Sequence, residues 1–570
     1  MRLSDFIVEF LQNKGIRTVF GYPGGMVTYL MDSLYKNSEI RNCLLYHEQG
    51  ASFAACGYGQ LLGRPTVAYA TSGPGATNLV TGIANAWFDS IPAVFITGQV
   101  NTNEAKTVER VRQKGFQETD IVSIVRSITK YAVQITDGSR MKYELEKAFF
   151  LAQDGRMGPV LLDIPINILR AEINPDQQAG FAPECHEYDD LQAETAQLQA
   201  LLTKAERPCL LLGNGAHQVP PDALAQLIRR FDLPYITSMP AVDLGALVPE
   251  NYFGFLGAYG GRTANQIMGK STLLIAMGSR LDIRQTGFDK KLFAGNAEIF
   301  RIDVDSDELD HKIHENEFHC HRDLDSAVQH VLGSAIQAQD HSSWKKQCEQ
   351  IKDLLSGADD LEPNALIEHL SEMISEQAVI TTDVGQNQVW VAQSFRVKKG
   401  QRILFSAGHG AMGYSLPAAI GAHYASGKPV IAFCGDGGLQ MNIQELQVLA
   451  RERIPVKIVV LNNRSLGMIR HFQEMYFQDT YAYTVGSCGY SAPDFTAIAA
   501  AYGLRSIRYQ PREDESVRAM LNDGEPALIE IALPDKTYVS PKGVYNAPLS
   551  SQSPELPADV QAELNRILEV

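Results

Sequence analysis

Short apolar runs alternate with amphipathic stretches along this chain, and that alternation organises it. Residues 428–434 (KPVIAFC) are almost continuously apolar, the pattern of a parallel strand covered on both faces, and 456–461 (VKIVVL) repeats it. Between them, 441–450 (MNIQELQVLA) carries apolar residues at helical spacing. The same signature predicts strands over 42–46, 378–382, 271–278 and 298–304, and a buried strand in 207–216 that ends in the turn Gly213-Asn214-Gly215-Ala216. The opening MRLSDFIVEF reads as an amphipathic helix. Strands alternating with helices in this way argue for an α/β protein built from doubly wound parallel sheets.

The pattern also repeats itself. Gly63-Arg64-Pro65-Thr66-Val67-Ala68-Tyr69 echoes Gly427-Lys428-Pro429-Val430-Ile431-Ala432-Phe433, and each run leads into a glycine turn, Ser72-Gly73-Pro74-Gly75 in one and Gly435-Asp436-Gly437 in the other. Two similar α/β units are implied, with a third, Rossmann-like one between them. At 570 residues the chain is too long for one core, and three domains are expected: 1–175, 190–335 and 360–545, followed by an arm over 546–570. The polar stretch 174–190 and the charged, helix-patterned stretch 335–360 mark the joints. The Pro- and Ser-rich segment 534–557 reads as an ordered arm or lid more readily than as a strand.

Composition narrows the partners. A content of 45% apolar and 20% charged residues is that of a folded globular chain, and no window of eighteen apolar residues suggests a membrane span or signal peptide. The net charge of −16 speaks against nucleic acid or an anionic membrane as partner. Eight cysteines, at 43, 56, 185, 209, 320, 348, 434 and 488, have no paired spacing, which fits reduced thiols in a cytoplasm. His319-Cys320-His321 is not read as a metal site, because alternate residues of a strand face opposite ways.

Candidate chemistry sits at the carboxyl ends of the strands. Gly435-Asp436-Gly437 is followed, after a gap of 24 residues, by Asn462-Asn463. A right-handed βαβ unit of that length sets two carboxyl ends side by side, so Asp436 and Asn463 face one crevice. Two hard oxygen ligands beside glycines that admit phosphates closely fit a Mg²⁺ ion carrying a diphosphate.

That arrangement resembles the thiamine diphosphate fingerprint, in which the Asp, the second Asn and the backbone carbonyl of the residue at Ser465 hold the metal. Further segments resemble the acetolactate (acetohydroxyacid) synthases of that family over nearly the whole chain: Gly21-Tyr22-Pro23-Gly24-Gly25, His47-Glu48-Gln49-Gly50-Ala51, Thr71 to Asn78 (TSGPGATN), Phe116-Gln117-Glu118 and Met412-Gly413-Tyr414. The resemblance implies a pyrimidine-binding N-terminal domain, a central domain and a diphosphate-binding C-terminal domain. It implies that Glu48 hydrogen-bonds the aminopyrimidine so that the cofactor's own ring acts as base. Met412 matches the wedge that bends the cofactor, and Gly24, Gly25, Gln386, Asn387, Gly435, Gly437, Gly438 and Met468 fall among the residues around it. Asn387 stands where the family commonly has His.

Gln117 matches the Gln near the reacting carbons, and Arg280 the Arg that faces the carboxylate of a second 2-oxo acid, a contact suited to a guanidinium fork. Each also has a plain structural reading: Glu48 as a first-turn acid favoured by the helix dipole, Met412 as core filler, Arg280 as a surface residue. Three departures bear on the acceptor: Phe472 in place of Trp, Ala258 in place of a Met near the flavin, and an unusual 536–548. FAD is left open, with Gly213-Asn214-Gly215-Ala216 and Asp303 resembling parts of its site. So are dimer against tetramer and a regulatory subunit. The leading expectation is a carboligase joining pyruvate to a second 2-oxo acid, in a homo-oligomer with shared sites. The alternative within the fold is a 2-oxo acid decarboxylase or a ligase with an aldehyde or ketone acceptor. A nucleotide-dependent oxidoreductase would need a Gly-x-Gly-x-x-Gly turn that is absent, and a silent assembly subunit would not need Glu48, Asp436 and Asn463 together.

Overall fold

Eighteen of the strands form three six-stranded parallel sheets in a computed structural model that describes residues 1–108, 110–183, 191–357, 362–510 and 514–569. Parts of both expected joints, 184–190 with Cys185 and 358–361, lie outside the described residues. The first sheet runs β1 (Thr18–Gly21), β2 (Arg41–Leu44), β3 (Thr66–Ala70), β4 (Ala93–Gln99), β5 (Tyr131–Gln134) and β6 (Pro159–Pro165), in the spatial order 2-1-3-4-6-5. The second holds β7 (Pro208–Leu212), β8 (Tyr235–Thr237), β9 (Tyr252–Phe255), β10 (Leu273–Met277), β11 (Glu298–Asp303) and β12 (Glu317–His321). Counted within the sheet, its order is 3-2-1-4-5-6, the dinucleotide-fold order. The third comprises β13 (Val379–Thr382), β14 (Ile403–Leu404), β15 (Val430–Gly435), β16 (Val456–Asn462), β17 (Arg505–Arg508) and β18 (Ala527–Ala532), again ordered 2-1-3-4-6-5.

The echo in the sequence is therefore a repeated topology. A constant shift of 364 residues carries Thr66 at the start of β3 onto Val430 at the start of β15, and Gly63 onto Gly427. Both glycines close the preceding helix in the left-handed region, at φ 59° and 67°, where a Cβ is penalised. Those helices, Glu48–Leu62 and Ser415–Ser426, pack with their backbones in contact. A methyl on Gly57 would lie 2.3 Å from the Ala418 carbonyl oxygen, and one on Gly421 would lie 1.8 Å from that of Ala54. The same shift relates both pairs, so the helices cross about a local pseudo-twofold.

By contact density the chain divides into two compact units. One is Met1–Cys185, Gln377–Asn387 and Leu404–Asp535, with the first and third sheets; the other is His186–Glu376, Gln388–Ile403 and Lys536–Val570, with the second. In the second unit, residues 536–570 are not a simple arm. They hold a two-stranded antiparallel ribbon, Lys542–Gly543 with Gln552–Ser553, and the helix Ala558–Glu569. The ribbon is fastened by Gly543 N–H to the Ala258 carbonyl (2.6 Å) and by Gln552 to the Gly260 carbonyl (2.8 Å), contacts far off in sequence that no local pattern signals.

Other expectations shift at their edges. The strand predicted over 42–46 stops at Leu44, because the Tyr46 and His47 amides turn to a side chain instead of a neighbouring strand. The helix predicted over 441–450 is two helices, Asp436–Met441 and Leu446–Glu452, joined by a turn at Ile443–Glu445, because Asn442 leaves the helical region and uses its side chain on the Gly413 carbonyl. The helix-patterned joint yields a helix at Ser342–Leu355, and the opening residues one at Leu3–Asn13. Among the described residues no helix is long and apolar enough to cross a membrane, and no three His, Cys, Asp or Glu side chains cluster as metal ligands. His319 instead pairs with Glu317 at 3.1 Å.

Candidate active site

In the third sheet the chain leaves β13 towards one edge and β15 towards the other, so a crevice opens where the order reverses, between their carboxyl ends. The turn 383–387 follows β13, the turn 435–438 follows β15, and 462–467 follows β16, whose Leu461 pairs with Gly435. Nearly all the diphosphate-side candidates fall here.

Asp436 opens its helix directly after β15 and is buried. Its Oδ2 accepts from the Tyr490 hydroxyl at 2.9 Å. Burial pushes the carboxyl up to about 6, against hydrogen bonds from Tyr490 and from the amides of Gly437 and Ser465. The two asparagines divide the work. Asn462 turns into the sheet, giving Nδ2 to Glu530 (2.8 Å) and accepting from Arg464 N–H (3.0 Å), while Arg464 takes φ 52°. That turn leaves Asn463 on the crevice side, its Nδ2 donating to Gln386 Oε1 at 3.0 Å.

Three polar atoms around this carboxylate have no hydrogen-bond partner: Gln386 Nε2, Asn387 Oδ1 and Ser465 Oγ, on residues only 5%, 3% and 3% exposed. Leaving such groups unpaired costs on the order of 1–3 kcal/mol each, so three of them on adjoining turns fit a polar ligand. The glycines shape the floor. A methyl on Gly435 would stand 3.3 Å from Asn387 Nδ2, and one on Gly438 would stand 2.4 Å from Asp383 Oδ1. At Gly437 the neighbours are Leu466, the Met412 Cε at 3.2 Å and the Tyr490 hydroxyl at 3.3 Å. Met412 thus reaches the Asp436 turn and is not core filler remote from it. Asp383 holds its loop, accepting from Gly413 N–H (3.0 Å) and Ser415 N–H (3.1 Å). Met468 follows Gly467 in the first turn of the helix Gly467–Tyr476. On that helix Phe472 points outward, 55% exposed.

The pyrimidine-side candidates gather at the same place in the first sheet. Glu48 is the first residue of its helix and yet almost fully buried, and its Oε2 accepts from Asn78 Nδ2 at 2.9 Å. A methyl on Gly75 would stand 3.1 Å from Glu48 Oε1. Gln117 takes φ 63°, strained for a side-chain-bearing residue, and its Cβ lies 2.9 Å from the methyl position of Gly73. Ser72, in the same turn, has a buried hydroxyl without partner. Gly24 is packed on Thr71, whose hydroxyl accepts from Met26 N–H (3.2 Å), whereas Gly25 faces open space. Glu48, Gln117 and the Thr71–Asn78 segment are thereby brought together. Glu48 and Asp436 sit in separate hydrogen-bond networks.

Arg280 and the Gly213 turn lie in the other compact unit. Arg280 is about one-third exposed with its guanidinium 3.6 Å from Asp282. Gly213 N–H donates to the Met277 carbonyl and Gly215 N–H to that of Gly278, and a methyl on Gly213 would stand 2.1 Å from the Gly278 oxygen. Close packing between two strand ends accounts for those glycines. Asp303 accepts from the amide of Asp305 in its own turn.

Two neighbours of the site escaped the sequence reading, Asp383 and Tyr490. Asp383 had a signal, an acid at the carboxyl end of an apolar strand. Tyr490 had none, since it arrives from 54 residues away.

The comparisons agree with this geometry. The model for the N-terminal binding domain of thiamine pyrophosphate enzymes matches residues 1–124, that for the central domain 195–331, and that for the C-terminal binding domain 383–531. The chain belongs to the thiamine pyrophosphate enzymes. Within them it is a carboligase of acetolactate synthase type. It is 35% identical over 554 residues to the acetolactate synthase isozyme 2 large subunit of Escherichia coli (strain K12), covering 95% of this chain and 97% of that one. It is 33% identical over 550 residues to the Lactococcus lactis acetolactate synthase large subunit (94% and 93% covered), and 35% over 563 residues to the chloroplastic acetolactate synthase 1 of Nicotiana tabacum (94% and 82%).

Proposed function

We propose that this enzyme condenses pyruvate with a second 2-oxo acid, using thiamine diphosphate anchored through Mg²⁺ by Asp436, Asn463 and the Ser465 carbonyl. The observation that carries the anchoring is the trio of buried, unpartnered atoms on Gln386, Asn387 and Ser465 around the Asp436 carboxylate. One carboxylate with amide and carbonyl oxygens is a hard, weakly charged set that suits Mg²⁺ completed by phosphate oxygens. A cation there also suits a carboxyl whose pKa burial raises, since an adjacent positive charge favours the anion.

Thiamine diphosphate, when bound, supplies the carbon acid that adds to a 2-oxo acid and stores the electrons left as CO₂ departs. The protein's part is to bind and orient. Gln386 and Asn387 would give side-chain amide N–H groups to the diphosphate oxygens, which can only accept, and Met412, beside Gly437, would pack against the cofactor. Glu48, held by Asn78, presents a carboxyl oxygen to the aminopyrimidine and shuttles its proton. By the family resemblance Gln117 would border the reacting carbons and Arg280 would be the guanidinium for an acceptor's carboxylate. The two networks of Glu48 and Asp436 support a homodimer in which one chain's Glu48 serves the other chain's Asp436 site, giving two sites per dimer. For a flavin the support is weaker: the glycines of the Gly213 turn are accounted for by packing, and no step here runs through FAD.

Incubating the pure protein with pyruvate, thiamine diphosphate and Mg²⁺ and identifying the product's carbon skeleton tests this reading. Acetolactate is expected. Acetaldehyde alone would replace the carboligase by a decarboxylase.

A further inference from the structure

Glu445 is fully buried, has no place in the mechanism above, and lies nine residues beyond Asp436 in the turn that interrupts the expected helix. Its carboxylate faces backbone. Oε1 accepts from the amides of Tyr46 (3.2 Å) and His47 (3.1 Å), and Oε2 from Tyr46 again (3.0 Å). Gly50 approaches it so closely that a methyl there would stand 2.5 Å from Oε1. Three residues earlier, Asn442 Nδ2 lies 3.3 Å from Gln49 Oε1. The turn 442–445 therefore grips residues 46–50 from both sides of Glu48.

Burying a carboxylate this completely is costly, and burial pushes its pKa up to about 7 against the two amides and the charge of Arg451. A fold needing only a filled space would place an apolar residue there. Two amides just ahead of a helix, by contrast, have no strand partner, and a single carboxylate satisfies both while fixing the direction in which the helix begins.

We propose that Glu445 is a positioning residue for Glu48: by clamping the Tyr46 and His47 amides it sets where the Glu48 carboxyl points, and so couples the Asp436 helix of a chain to that chain's proton-relay carboxylate. The inference deepens the reading of Glu48 given above and rests on it. With Asp436 and Glu48 of one chain serving different sites, Glu445 links the metal end of one site to the proton-transfer end of the other.

Two variants test this. Glu445→Gln keeps an oxygen for both amides; Glu445→Asp keeps the charge but withdraws it by one methylene. In the cofactor-free protein, amide hydrogen exchange at Tyr46 and His47 is expected to rise by about 10-fold or more in Glu445→Asp and to stay within about 3-fold in Glu445→Gln. In protein loaded with thiamine diphosphate and Mg²⁺, exchange of the cofactor's C2 proton for deuterium is expected to slow by about 10- to 100-fold in Glu445→Asp, with cofactor Kd within about 3-fold, since a misplacement of about 1 Å can cost 10²-fold. Wild-type C2 exchange in Glu445→Asp would overturn the proposal, as would unchanged amide protection. Glu48→Gln, run in parallel, separates the two failures. If its C2 exchange is normal, the assignment of Glu48 falls, while the amide arm still decides whether Glu445 holds the turn.

Discussion

The first and third sheets share one topology and have opposite chemistry, and the shift of 364 residues that superimposes their helices shows where they part. It carries Glu48 onto Met412, Ser72 onto Asp436, Gly73 onto Gly437 and Asn78 onto Asn442. At the switch point of the third sheet the strand ends hold an acid, three amide side chains and a hydroxyl: Asp436, Gln386, Asn387, Asn463 and Ser465. In the first sheet the matching position after the strand is a serine, and the acid has moved to the start of the helix. Even the asparagines keep parallel tasks: Asn78 holds Glu48, and Asn442 holds Gly413, beside Met412. The same topology occurs twice, and in the proposed function one copy anchors the cofactor while the other activates it.

The strongest way to break this contrast is to disable each half alone. Asp436→Ala removes the only carboxylate proposed for the metal, and calorimetric titration should find no thiamine diphosphate binding at cofactor concentrations that saturate the wild type, with turnover at background. Glu48→Gln should leave binding within about 3-fold while turnover falls by about 10²–10⁴, the usual worth of a positioned proton-transfer group. A variant that bound normally and turned over normally would remove the activating half from the account.

The packing between the halves offers a stability test. Gly421→Ala forces a methyl to within 1.8 Å of the Ala54 carbonyl, and urea unfolding should show a loss of about 3 kcal/mol; Gly57→Ala, its counterpart, should lose a similar amount. Unequal losses would show that the pseudo-twofold is not shared by the packing.

The middle sheet supplies a contrast in a buried ion pair. Asp243 is buried between His217 (2.8 Å) and Arg402 (2.8 Å); burial pushes its carboxyl up, but those partners outweigh it and hold it at about 2. Because the folded value lies below the ordinary 3.8, this group's stabilisation is present above pH 3.8 and lost as pH falls towards 2. Asp243→Asn should therefore cost about 2 kcal/mol at pH 7, and the gap from wild type should close between pH 4 and pH 2 in pH-dependent urea melts. The smallest effect is expected at Tyr490→Phe, which removes a hydrogen bond to Asp436 and should weaken Mg²⁺-dependent cofactor binding by about 10-fold.

Local patterns carried most of this architecture. The apolar runs around 430 and 456 read as strands, and their pairing sets Gly435 opposite Leu461, with Asp436 and Asn463 on the adjoining strand ends. The repeat between Gly63 and Gly427 was legible because cap glycines and strand starts are local features. What escaped was long-range. Tyr490 reaches Asp436 across 54 residues, Glu445 reaches Tyr46 across 399, and the ribbon at Lys542–Gly543 is placed by Ala258. The helix break at Asn442 escaped for the same reason, since apolar periodicity continues through it while the side chain answers to Gly413.

The most direct test mixes the two broken halves. Subunits carrying Asp436→Ala and subunits carrying Glu48→Gln, each inactive alone, are dissociated and reassembled together at equal amounts, and acetolactate formation is measured. If each site draws its anchor from one chain and its activating carboxyl from the other, half the dimers are mixed and each holds one intact site, so activity should return to about a quarter of wild type. A mixture that assembles and binds cofactor yet stays inactive would contradict the account.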